Sequence, residues 1–247
     1  MIVNMNKQDI INGLLDLGLK SGDEIEVHSS LSSLGYVDGG AETVISALKD
    51  VVGENGSIFM PALRLSQEMP LSEDDKTLGI TTKIQILPEN CEHSAMGIIA
   101  DTFRQMPDTI MNDGIFRISA WGKSANEVKD GLQYLIHNGG KALMLGVDIY
   151  KLTAMHYVED LLPDDIKNYF PLSDKINRIY PPNQWLIEAG TFSVKPWYTI
   201  QNMAYEKGII KDGLIGNSRV MLFDIWDVVG LYEQELKNAP YKLYGLE

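Results

Sequence analysis

Apolar residues recur along the chain in two rhythms, one helical and one alternating. After Asn6, the residues Ile10, Leu14 and Leu17 fall at helical spacing, and Asp9 three positions beyond Asn6 completes the pattern of a capped helix start. Gly18 and the turn Ser21-Gly22-Asp23 predict where that helix ends. Glu24-Ile25-Glu26-Val27-His28 then alternates polar and apolar, as a strand with one buried face does. Beyond Asp38-Gly39-Gly40, the stretch Ala41 to Val52 carries Val44, Leu48 and Val51 on one helical face. Gly53 and Gly56 close it, and Ser57-Ile58-Phe59-Met60-Pro61 predicts a second strand. This helix–strand–helix–strand order predicts an α/β fold, a layered sheet flanked by helices.

Later elements are less regular. Residues 63–93, which include the acidic cluster Glu73-Asp74-Asp75, show turn signals and little periodicity, predicting a loop or lid. Ser94 to Met106 predicts a helix, as does Asn126 to Ile136 after Ile118-Ser119-Ala120-Trp121-Gly122. Gly139-Gly140 leads into the apolar strand Ala142 to Val147. Thr153 to Leu162 predicts a helix ended by Pro163, the proline-rich stretch 163–196 a surface crossing or small β structure, and Val220 to Leu236 a closing helix. With no linker, repeat or low-complexity tract, the pattern favours one domain over residues 1–247, with 63–93 and 163–196 as irregular segments.

Composition narrows the function classes. The chain has 247 residues, with 34 acidic and 21 basic side chains and a formal net charge of −13. That balance argues against general nucleic-acid binding, which needs basic patches to neutralise phosphates. It suits a cationic small molecule, although acidic surfaces commonly serve solubility. Cys91 is the sole cysteine, which excludes an internal disulfide scaffold. No run reaches the roughly 20 apolar residues of a membrane helix, and the N-terminus lacks a basic segment followed by an apolar one; the expectation is a soluble, cytoplasmic protein.

A set of motifs adds a resemblance. Val27-His28-Ser29-Ser30-Leu31-Ser32-Ser33-Leu34-Gly35 is followed by Gly39-Gly40-Ala41-Glu42-Thr43-Val44 and Ala47-Leu48. Met60-Pro61, Met96 to Ala100 with Phe103-Arg104, Ala120-Trp121-Gly122 with Ala125, and Leu145-Gly146 come next in order. Thr153-Ala154-Met155-His156-Tyr157-Val158-Glu159 and Gly213-Leu214-Ile215-Gly216 with Ser218 complete the series. In kind and order these blocks resemble the aminoglycoside 3-N-acetyltransferase family over nearly the whole chain. The resemblance implies an acetyl-coenzyme A dependent N-acyltransferase with a mixed α/β fold. There are departures: Met111 to Arg117 replaces the family's Ser-x-His-Pro-x-x-Ser, Ala62 to Ser66 replaces a polar and aromatic run ending in Asp, and Asn217 replaces a small Ala.

Acyl transfer to an amine needs a base, donors for the oxyanion, help for the departing thiolate and a hold on a phosphorylated donor. His156 is the candidate base, since imidazole titrates near neutral pH. On a helix, Glu159 at i+3 and Thr153 at i−3 share its face. Glu159 would fix the ring tautomer, and Thr153 would bond the oxyanion or the departing sulfur. From spacing alone, Thr153 as a helix cap with a surface His–Glu pair is the favoured reading; the resemblance reverses it in favour of catalysis. It also assigns Ser29, Ser30, Leu31 and Ser33 to the coenzyme, with His28 open between coenzyme contact and a buried strand-end histidine.

Lys123 and Arg104 are candidates for the coenzyme's negative charge, and Tyr150, Tyr157, Trp185 and Trp197 for the acceptor pocket. Glu73-Asp74-Asp75 is the place to look for acceptor contacts. His93 beside Cys91 invites a thiol or metal role, but an irregular segment seldom makes neighbours converge, and His137 suits a helix C-terminus. No His/Cys spacing fits zinc, so no metal is expected.

The resulting expectation is direct attack of a small-molecule amine on acetyl-coenzyme A without a covalent enzyme intermediate, in a monomer or homodimer. The altered 111–117 and 62–66 segments favour an amino sugar, a nucleotide-linked amino sugar or a related biosynthetic amine as acceptor. The alternatives are an aminoglycoside, with antibiotic resistance, and a non-catalytic coenzyme A-binding protein.

Overall fold

The computed structural model describes residues 4–167, 172–189 and 195–247. Its strands are β1 (Asn4–Met5), β2 (Glu24–Ser29), β3 (Tyr36–Val37), β4 (Ser57–Pro61), β5 (Ile80–Gln85), β6 (Ile110–Met111), β7 (Ile118–Gly122), β8 (Lys141–Leu145), β9 (Trp185–Ala189), β10 (Lys211–Ile215) and β11 (Ser218–Asp224). Seven form one mixed sheet in the order β10-β11-β8-β2-β4-β7-β6, with β2 parallel to both β8 and β4 and the other pairs antiparallel. The layered mixed sheet flanked by helices is therefore as the sequence predicts.

Strand alternation divides the interior into two cores. Ile25, Val27, Ile58, Met60, Leu143, Leu145, Val220 and Leu222 pack against helices Lys7–Leu17, Gly40–Val52 and Ile98–Arg104. Phe59, Ala142, Met144, Met221 and Phe223 face the opposite way, against helices Lys195–Glu206 and Ile225–Asn238. Each fully buried Leu, Ile or Phe in these layers contributes about 1.5–3 kcal/mol. The first helix starts at its predicted capping box: Asn6 Oδ1 accepts from the Gln8 and Asp9 N–H groups at 2.8 and 3.1 Å, and the Asn6 N–H donates to Asp9 at 2.9 Å.

Several boundaries differ from expectation for local reasons. The closing helix starts at Ile225, because Val220 to Asp224 belongs to β11, whose uniformly apolar run is buried on both faces. The helix expected from Ser94 is Ile98–Arg104; Ser94 instead bonds Asp101 through its N–H and hydroxyl at 2.7 and 2.8 Å. Asn126 to Ile136 is split at Gly131, with φ of 62°, into a 3₁₀ turn Ala125–Asp130 and a helix Gln133–His137. The predicted strand through Val147 ends at Leu145, before Gly146. Thr153–Leu161 is 3₁₀-helical.

The 63–93 segment is more ordered than its sequence indicates. It holds the helix Glu73–Thr77 and strand β5, which pairs antiparallel with β9 around a small core of Ile80, Ile176 and Ile187. That pairing spans about a hundred residues of chain, so no local period announces it. The 163–196 stretch contributes helices Asp164–Lys167 and Asp174–Ile179, strand β9 and the start of Lys195–Glu206; its residues 168–171 and 190–194 lie outside the described residues.

Asp75 does not serve an acceptor. It is 1% exposed, and it accepts from Lys83 Nζ at 2.6 Å, from the Ser72 N–H at 2.8 Å and from the Tyr180 hydroxyl. The Lys83 hydrogen bond, then those of Tyr180 and Ser72, hold its carboxyl well below the usual carboxylate range despite burial. A pKa lowered by folding adds stability above the ordinary carboxylate pKa, and that stability is lost as pH falls. Asp75→Asn is therefore expected to cost about 2 kcal/mol at neutral pH. The gap from wild type should narrow below pH ~4; urea unfolding at pH 7 and pH 3 measures both.

Candidate active site

The parallel strands β2 and β8, together with β4, deliver their carboxyl ends to one edge of the sheet, where open α/β sheets place ligands. A cavity of ≈ 920 Å³ opens there, lined among others by His28, Ser30, Pro61, Thr153, His156 and Trp197. The Thr153–Leu161 segment forms part of its wall. In a 3₁₀ helix residues i and i+3 eclipse, so Thr153, His156 and Glu159 stand in one row. His156 Nδ1 lies 2.6 Å from Glu159 Oε2, and its ring packs edge-on against Trp197 with centroids 4.9 Å apart. The His156 side chain is 61% exposed and that of Glu159 29%. With Nδ1–H donating to the carboxylate, Nε2 is left as an acceptor. Leu152, not Thr153, precedes the segment, and no side chain caps it.

The segment is tied to the sheet by a pair that sequence reading missed. In β2, Glu26 and His28 face the core opposite Ile25 and Val27, and Glu26 is fully buried. Its Oε1 lies 2.6 Å from His28 Nε2 and accepts from the Ala154 N–H at 3.3 Å, while the Thr153 N–H approaches the same His28 nitrogen at 3.3 Å. Glu26 Oε2 has no partner among the described residues. His28 is a buried strand-end histidine, and it also lines the cavity.

The serine turn divides between two cavities. Ser29, Ser30, Leu31 and Ser32 line the main one, with the Ser30 N–H bonded to Leu145 O at 2.9 Å. Ser33 turns away: its hydroxyl donates to Ser30 O at 2.7 Å, lies 2.9 Å from Ser218 Oγ, and lines a smaller polar cavity with Asp148, Gln201 and Arg219. Gly146 is obligatory at this junction, since a Cβ there would lie 1.8 Å from Ser33 Oγ, and its φ is +71°.

Other candidates resolve differently. Arg104 is committed to Asp101 at 3.0 Å and to the carbonyls of Cys91 and Glu92, and Lys123 sits beyond β7 at the sheet edge away from the cavity, its N–H on Gly56 O. Among the described residues, the lysine that lines the cavity is Lys151, two residues before Thr153. Tyr150 and Trp197 line it as well; Tyr157 bonds His137 at 2.8 Å, and Trp185 packs on Tyr180 in the small sheet. Arg117, from the altered 111–117 segment, is buried and donates to Ala62 O and Glu89 O, whereas Leu63, Leu65 and Ser66 line the cavity. No three His, Cys, Asp or Glu side chains converge on a metal geometry among the described residues, and no described helix is long and apolar enough to cross a membrane.

An imidazole held by a carboxylate at the wall of a large cavity on the carboxyl edge of a mixed sheet has the chemistry to take up and return a proton. A sequence profile of the aminoglycoside 3-N-acetyltransferases matches residues 27–237. The chain is 30% identical to the SPbeta prophage-derived aminoglycoside N(3')-acetyltransferase-like protein YokD of Bacillus subtilis, over 96% of this chain and 94% of that one. The YokD crystal structure superposes with a TM-score of 0.71 at 26% identity, over 97% and 96% of the two chains. Aminoglycoside N(3)-acetyltransferase III of Acinetobacter baumannii is 26% identical over 90% of this chain and 88% of its own. The fold of AAC-IIIb, solved as a binary complex with CoASH, matches with a TM-score of 0.69 at 20% identity, over 95% and 97%.

The chain belongs to the aminoglycoside 3-N-acetyltransferase family. It is an N-acyltransferase that takes its acyl group from acetyl-coenzyme A. The cavity's donor set fits that molecule: the hydroxyls of Ser29, Ser30 and Ser32 suit amide and phosphate oxygens, and Leu31, Val37 and Met96 suit an apolar arm.

Removing the Glu26 carboxylate should release the segment that carries His156. Glu26→Ala is expected to cost about 3 kcal/mol, because it strands a buried partner. Glu26→Gln, which keeps an acceptor for Ala154, should cost less. Thermal unfolding gives the stabilities, and kcat measured well below melting should fall in the same order.

Proposed function

We propose that the protein acetylates an amine of an aminoglycoside, with His156 as the general base. The observation that carries the reading is the His156–Glu159 pair, 2.6 Å apart and in one row with Thr153 on the cavity wall. The family and the names of the relatives weigh for an aminoglycoside over the biosynthetic amine that the altered segments favour.

Acetyl-coenzyme A, when bound, supplies an activated acyl group. Glu159 orients the imidazole and stabilises the imidazolium formed when Nε2 takes the proton of the incoming amine. The Thr153 hydroxyl offers a hydrogen bond to the oxygen or sulfur that gains charge. Ser29, Ser30 and the Leu31 backbone hold the donor, and Ser33 acts behind them by buttressing the Ser30 carbonyl. Trp197, packed on His156, limits the ring's rotation.

His156→Ala should lower kcat for thiol release by about 100-fold or more, with Glu159→Gln giving a smaller loss. Near-normal turnover in His156→Ala would remove the base from this assignment. Expression in a susceptible strain should raise its aminoglycoside tolerance, and unchanged susceptibility beside good turnover on other amines would move the acceptor to the biosynthetic class.

A further inference from the structure

The charge inventory of the cavity restricts its acceptor. Glu159 is engaged by His156 at 2.6 Å; the described lining residues hold one other carboxylate, Glu68, and one lysine or arginine, Lys151. Both are exposed, so both stand at the rim. Lys151 Nζ lies over the Tyr150 ring, 4.9 Å from its centroid, and neither residue forms an ion pair among the described residues. Behind the rim the wall is apolar, built by Leu63, Leu65, Ile84, Met96 and Val147 around the serine hydroxyls and the two imidazoles.

An acceptor that enters this space gives up part of its hydration. Each ammonium group then needs a carboxylate or a set of strong acceptors, because an unpaired charge away from water is costly. Glu68 can answer one. A second or third would meet hydroxyls and aliphatic carbon with no unengaged carboxylate, and Lys151 adds like-charge repulsion. The chain's charge of −13 does not compensate, since screening at physiological ionic strength cuts its reach to about 8 Å. Leu63 and Leu65 instead favour the apolar face of a sugar or cyclitol ring.

We propose that the acceptor is an amino sugar or aminocyclitol of low amine count, with the reacting amine, one further ammonium placed on Glu68, and a ring face against Leu63 and Leu65. This rests on the acetyltransferase reading and narrows it from aminoglycosides in general to their least cationic members and simpler relatives.

Thiol release from acetyl-coenzyme A is measured with glucosamine, 2-deoxystreptamine and neomycin, a series of rising amine count, on the wild type, Glu68→Gln and Lys151→Glu. The wild type should show kcat/KM for 2-deoxystreptamine about tenfold above neomycin. Glu68→Gln should raise KM for 2-deoxystreptamine about tenfold while leaving glucosamine unchanged, and Lys151→Glu should shift the ranking toward neomycin by a similar factor. A wild type that prefers neomycin overturns the inference and leaves the acetyltransferase reading intact. A ranking unmoved by both substitutions also overturns it. Binding of acetyl-coenzyme A with no thiol release on any amine overturns the acetyltransferase reading itself, and the inference with it.

Discussion

A carboxylate in the middle of the sheet sets the rest of the site. Strand β2 is flanked by β8 and β4 and covered on both faces, so every side chain on it is buried or nearly so. Ile25 and Val27 supply one core in the ordinary way, but the opposite face carries Glu26 and His28 where an aliphatic pair would pack. A buried carboxylate is tolerated when charge and hydrogen bonds compensate its lost hydration. Here the imidazole two residues along does so at 2.6 Å, and the Ala154 N–H adds a third member from 128 residues away. One of the two partners that make Glu26 tolerable is therefore the backbone of the segment that bears His156. Moving that segment would leave the carboxylate with His28 alone, so fold stability and the placement of His156 are coupled at one point.

A second constraint is steric and lies on the neighbouring strand. Gly146 ends β8 in a left-handed conformation, and the space a side chain would need is taken by the hydroxyls of Ser33 and Ser218. Those residues follow β2 and open β11, the two strands that flank β8. Blocks widely separated in the chain thus meet because their strands are adjacent, and the Ser33 to Ser30 hydrogen bond passes this fixed point on to the turn that lines the cavity. The stiffness of the turn comes from interlocking small residues, and its position comes from strand order.

What the sequence disclosed follows from how local each feature is. The capped first helix, β2, the helix after Gly39-Gly40 and β4 were legible because their signals lie within a few residues. The row Thr153, His156 and Glu159 was legible as spacing, and a 3₁₀ geometry aligns it better than an α-helix would, since the offset at i+3 vanishes. Glu26 was invisible for a physical reason: alternation along a strand reports that its two faces differ, and only strand order tells whether the polar face meets water. β11 was absorbed into a helix because a run buried on both sides has no period to distinguish it. Lys151 carried no signal at all, since its significance lies in the cavity it borders.

The acidic balance takes its meaning from placement. Asp23 meets Lys141, Asp101 meets Arg104, Asp108 meets Lys49 and Asp148 meets Arg219, while Asp75 holds Lys83 and Tyr180 together. Many of the basic residues are thereby used in neutral pairs, and the surplus negative charge lies on side chains outside the cavity. The cluster Glu73-Asp74-Asp75 illustrates the division: its first members sit in the opening turn of a short helix, where negative charge suits the helix dipole, and its last is turned inward to staple β5 to Tyr180. Since interactions between exposed charges fade beyond a screening length of about 8 Å, the sign of the whole chain and the sign of its cavity are separate quantities. The cavity's near-neutral lining, rather than the charge of −13, is what an incoming amine meets at contact.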